Sequence, residues 1–184
     1  MPRFGPVRAI TGVEDDVRMV TSNFYFIDSR KELLHEVGRV TVRWAALDLL
    51  LVEILAVVLE NDIAAYQLVF RTSSFGRERL ELVKDLIGGS KLDAGERESI
   101  FACISKLKTL LTERNTIVHS PLVMHFGVKG SKLTMKVQRV MRDGAQRDVT
   151  IEGIKAHVEN VTATLEKLEE IQTDLAEKYQ TATG

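Results

Sequence analysis

A chain of 184 residues, 45% apolar and 28% charged, is long enough to bury one sizeable core and has the composition of a globular domain. Its formal net charge of -1 supplies no global attraction to nucleic acid or to an anionic membrane, so any such partner needs a local patch. The single cysteine, Cys103, excludes an internal disulfide and points to a reducing, cytoplasmic setting.

Residues 1–28 show no sustained periodicity and hold two prolines and two glycines. They read as an arm, with a short strand expected near Asn23–Ile27. The opening "MPRFGPVRAITG" has positive charge but no apolar core of a signal peptide. A helical domain is expected over residues 29–184. Ser29-Arg30-Lys31-Glu32 has the capping-box pattern, which predicts a helix from Ser29 to about Glu60. Leu33, Val37, Val40, Trp44, Leu47, Leu51, Ile54 and Val58 recur in steps of three and four on one stripe.

The second half of that helix is apolar nearly all round, so it is either central in a bundle or half of an oligomer interface. Its run "AALDLLLVEILAVVL" includes Asp48 and Glu53 and falls short of the roughly 20 apolar residues a membrane span requires. No membrane partner is expected.

Residues 62–72 read as a further helical turn or a loop. "GRERLELVKDLIGG" predicts a helix stopped by Gly88 and Gly89. Asp93 and Glu96 open the next helix, whose stripe is Ile100, Cys103, Ile104, Leu107, Leu110, Leu111, Ile117 and Val118. Arg114 falls on the same stripe, and Pro121 stops the helix near Ser120.

Between Leu122 and Met141 the period changes to two, which predicts a β-hairpin turning at Lys129-Gly130-Ser131. A last helix begins near Thr150 and carries a stripe from Ile151 to Tyr179. The fold class is therefore all-α: an antiparallel bundle of about four helices, with the hairpin inserted between the last two.

The chemistry-bearing residues gather in "RNTIVH", residues 114–119. Arg offers a permanently charged fork that matches phosphate oxygens, and His exchanges a proton near neutral pH. At 100° per residue, Asn115 and His119 share a face, whereas Arg114 and His119 point about 140° apart. A shared site for Arg114 and His119 is then expected across a twofold axis, each subunit contributing both. The bland alternative pairs Arg114 with Asp48 or Glu53 and leaves His119 as a helix terminator.

The hairpin region holds Lys129, Lys132, Lys136, Arg139, Arg142 and Arg147 against Asp143. Lys129, Lys132, Lys136 and Arg139 are the RNA-binding candidates, with a solvated strand face as the alternative. No aromatic alternates with these cations, as a stacking platform for single strands requires. His35, His125 and His157 have no metal-ligand spacing, so neither metal nor other cofactor is expected, and His125 reads as a surface or cross-strand residue.

Arg114-Asn115-Thr116-Ile117-Val118-His119 resembles the Arg-x(4–6)-His motif of the HEPN superfamily, including the Asn that often follows the Arg. The helices "WAALDLLLVE" and "FGRERLELVKDLI" ahead of it fit the same arrangement. The resemblance implies a homodimer with a composite site and metal-independent endoribonuclease activity on RNA, in toxin–antitoxin systems with a protein antitoxin or in antiviral defence. It makes Arg114 and His119 the catalytic pair and Asn115 their polar support. Other members are non-catalytic binding modules, so a dimerising interaction module is the alternative.

Overall fold

The computed structural model describes residues 19–21, 30–71, 76–129 and 132–180. In chain order these form β1 (Met19–Thr21), α1 (Lys31–Leu59), α2 (Asp62–Arg71), α3 (Gly76–Gly88), α4 (Ala94–His119), β2 (Leu122–Lys129), β3 (Lys132–Val140), β4 (Gln146–Asp148) and α5 (Ile151–Gln180). The mostly helical class with a hairpin between the last two helices is as expected.

The α1 stripe is the spine of the core. Leu33, Val40, Trp44, Leu47, Leu51 and Ile54 are buried, and Leu50, Leu55 and Val57 extend the buried arc where the sequence turns apolar all round. That arc is covered by α2, α3, α4 and α5, which makes α1 central in the bundle. The principal core runs from Trp44 through Leu107 to Leu175. A second cluster, Leu33, Val40, Ile117, Ile154 and Val158, closes the end of the bundle where Leu122 and Val137 bring in the sheet. No helix among the described residues is long and apolar enough to cross a membrane.

Several boundaries differ from expectation. Arg30, with no side-chain cap, precedes α1, and Ser29 lies outside the described residues. The Glu32 carboxylate accepts from Lys155 Nζ on α5 at 2.9 Å. Residues 62–71 are a full helix rather than a turn. α1 breaks at Glu60, whose φ of 52° is left-handed, and Asn61 Oδ1 then caps α2 by accepting from Ala64 N at 2.9 Å.

The predicted hairpin turn at Gly130–Ser131, like Asn23–Ile27, lies outside the described residues. The strands β2 and β3 pair from Leu122↔Arg139 to Lys129↔Lys132. They belong to a four-stranded antiparallel sheet in the order β1-β2-β3-β4. Met19–Thr21 of the arm pairs with Met124–Phe126, so the arm contributes a strand, although earlier in sequence than expected.

Both ends of the long helices are fastened locally. Asp93 and Glu96 close a reciprocal capping box on α4. The same two carboxylates hold Lys178 Nζ at 3.0 and 2.7 Å, and Tyr179 donates its hydroxyl proton to Glu96 Oε2 at 2.9 Å. Thr150 Oγ1 caps α5 by accepting from Gly153 N at 3.1 Å.

Candidate functional site

Arg114 lies on the buried stripe of α4, but its length carries the guanidinium out over α1. Its Cζ stands 5.9 Å from the centre of the Trp44 ring, a cation–π arrangement. Nη1 donates to Asn115 Oδ1 at 3.0 Å and lies 2.9 Å from His119 Nε2. Nε is buried without a hydrogen-bond partner. Burial pushes the Arg114 pKa below its ordinary value, and the charge of Asp48 opposes that fall. A guanidinium nonetheless stays charged in a protein.

The contact between Arg114 and His119 corrects the expectation that the two diverge within one chain. The 140° argument describes where the Cα–Cβ bonds leave the helix. It neglects the reach of an arginine and the place of His119 as the last residue of α4. Since Arg has no acceptor, Nη1 must donate and Nε2 must accept. Such a bond uses the imidazole tautomer that carries its proton on Nδ1. The exposed imidazole presents a lone pair held by a cation.

Among the described residues Arg114 makes no ion pair with an acid, although the charge of Asp48 acts on it. Asp48 is engaged by Arg79 Nη1 at 2.6 Å, and Glu53 is exposed on another face of α1.

Of the four hairpin cations, Lys136 and Arg139 do not share a surface. Lys136 and Arg139 are an odd number of residues apart, so they emerge on opposite faces of β3. Lys136 Nζ bonds Asp148 Oδ1 at 2.8 Å on the exposed face. Arg139 turns inward: its Nε is buried without a partner. It lines a cavity with Val37, Thr116, Ile117, Leu122, Val149 and Ile154 that has about 10 Å³ for the centre of a small molecule, room for one water. Lys129 and Lys132 oppose each other at the far end of the hairpin.

The burial of His157 was not expected from the sequence. It is only 2% exposed, and its Nδ1 faces Glu113 Oε2 at 3.6 Å. Burial pushes its pKa below the ordinary histidine value; Glu113 opposes the fall and Arg139 adds to it. The available signal was its register, three residues after Ile154 and four before Val161, within the core stripe of α5. Cys103 is buried among core residues, and burial pushes its thiol pKa up.

What the Arg114 site can do is bind an anion with a charged fork and move a proton through an adjacent imidazole. Comparison with family models, curated proteins and solved structures found no match for this chain.

Proposed function

We propose that the chain is a metal-independent endoribonuclease of the HEPN type. The carrying observation is the 2.9 Å approach of Arg114 Nη1 to His119 Nε2 at an exposed helix end. Arg114 would leave His119 for a phosphate oxygen, a stronger acceptor because it is charged. That exchange frees Nε2 to take the proton of the neighbouring 2′-hydroxyl. The 2′-oxygen then bonds to phosphorus, the bond to the 5′-oxygen breaks, and that oxygen takes a proton from an imidazolium. Asn115 Oδ1 steadies the guanidinium in both positions.

A homodimer gives this scheme its acid. Two chains meeting with their motif ends together would set two Arg–His pairs in one groove, one imidazole as base and the other as acid. Val42 and Leu49, exposed on α1 at 68% and 55%, offer apolar surface for such a meeting. The alternative of a closed, non-catalytic module calls for Arg114 tied to an acid and His119 out of reach. The contacts of Arg114 with Asn115 and His119 and the exposed imidazole favour the catalytic reading.

The test is cleavage of single-stranded RNA by the purified full chain in EDTA. The expected products carry 2′,3′-cyclic phosphate and 5′-hydroxyl ends. Absence of cleavage, or products with linear 3′-hydroxyl ends, would remove this reading.

A further inference from the structure

Exposed aromatic surface of the kind that binds single strands is present on α2. Tyr66 is 54% exposed and Phe70 38% exposed, one turn apart, with ring centres separated by 4.8 Å. The Arg79 guanidinium stands 5.7 Å from the centre of the Phe70 ring and also grips Asp48. This ties the aromatic pair to a defined place on α1.

That place adjoins the Arg114 site. Trp44, under Arg114, and Asp48, held by Arg79, are four residues apart on α1, one turn or about 6 Å along its axis. Ile117 packs with Leu33 and Val40, so α4 runs toward the N-terminal end of α1 as it approaches His119. His119, Arg114, Arg79 and the aromatic pair therefore succeed one another along α1. Only the Phe70 end of this surface is basic: Arg71 closes α2 and Arg77 and Arg79 open α3 beside Asp48 and Glu78, while Asp62 lies at the far end of α2 and Glu81 further along α3.

We propose that Tyr66 and Phe70 are a stacking platform for unpaired bases of single-stranded RNA, next to the phosphate held by Arg114. It rests on the ribonuclease reading for the identity of the polymer and adds where its bases lie. Exposed aromatic faces accept any base, so the platform selects single strands over duplexes rather than one sequence over another. Arg79 stands against Phe70, and Tyr66 is the more exposed of the two rings.

The test uses the full-length His119→Ala chain, which binds without cleaving, and a short fluorescein-labelled single-stranded RNA. Removing a stacked aromatic weakens binding by about 5- to 150-fold, and this loss is expected for Phe70→Ala and for Tyr66→Ala. Phe70→Trp should keep the parent's affinity, since a larger ring still stacks. Both residues are exposed, and unchanged circular dichroism would show that the variants fold. Unaltered affinity in both alanine variants overturns the proposal, as does a parent that binds no single-stranded RNA. A change in molecular mass with RNA affinity intact also overturns it, making the face a contact between copies.

The two readings fail separately. A wild-type chain that cleaves with the same KM when Phe70 is alanine loses the platform and keeps the nuclease. One that binds RNA through Phe70 yet never cleaves it loses the nuclease and keeps the platform.

Discussion

The two ends of α4 use polar residues to opposite purposes. At the N-terminus, Asp93 and Glu96 satisfy the first backbone N–H groups and then absorb Lys178 and Tyr179 from the end of α5. The shared proton and charge partners hold both carboxylates below their ordinary pKa range, against the opposing effect of burial at Glu96. At the C-terminus, Arg114 meets an amide and an imidazole, while the nearby acid serves Arg79. A polar group whose bonding capacity is filled by its own fold is structural. One held only by exchangeable neutral partners on the surface is available to a ligand.

That contrast is broken most severely at the C-terminal end. His119→Ala should lower RNA cleavage by about 10²- to 10⁴-fold, the usual loss for an acid–base residue. Its effect on stability should stay within about 0.5 kcal/mol, since the imidazole is exposed. Side-by-side turnover and urea midpoints would check this, and a variant that loses both together would make His119 structural.

The N-terminal end should behave in reverse. Asp93→Ala removes the cap acceptor for Glu96 N and should lower Tm by about 2–4 °C while cleavage is unchanged. A Tm equal to that of the wild type would show that Glu96 and Lys178 hold the helix end unaided.

A third group, His157, is buried like a core residue yet titratable. Its pKa is lowered in the folded chain and near 6.5 when unfolded. Below about pH 6.5 the unfolded chain therefore binds the extra proton, so stability rises with pH across this window. The contribution is full above pH 6.5 and is lost as pH falls through the lowered folded-state value, with Glu113 softening the loss. Urea midpoints measured downward from neutral pH should fall in the wild type and flatten in His157→Leu. Equal slopes would assign the acid sensitivity elsewhere.

The smallest effect is expected from Lys178→Met. Its ion pairs with Asp93 and Glu96 are exposed, and the loss in Tm should be about 1 °C. A larger fall would show that the tie between α4 and α5 carries stability beyond the capping box.

Local features were the most legible in the sequence. The Asp93–Glu96 box, the stop at His119 before Pro121 and the apolar stripes depend on near neighbours, and the structure has them. The same four-residue pattern at Ser29–Glu32 begins outside the described residues, and what the sequence could not show is that Glu32 also finds Lys155, 123 residues away. α2 was under-read because it buries only Ala65 and Val69, leaving little periodicity to detect. The odd spacing of Arg139 from Lys136 already implies that the two leave β3 on opposite faces.

The candidate site was located by its residue types and misjudged in its geometry. A rotation angle per residue does not register that Arg114 can fold along its own helix to reach His119. Nor does spacing reveal that Tyr66 and Phe70 lie beside Arg79, since that proximity arises from packing α2 and α3 on α1.

The most direct measurement mixes the Arg114→Ala and His119→Ala chains and follows RNA cleavage in EDTA against the wild type. If each chain supplies its own Arg–His pair, the wild type cleaves, each variant is silent, and the mixture stays silent because no subunit holds both residues. Recovery of cleavage in the mixture would contradict the account, because it would show that an Arg114 and a His119 from different subunits can act together without an intact pair in either chain.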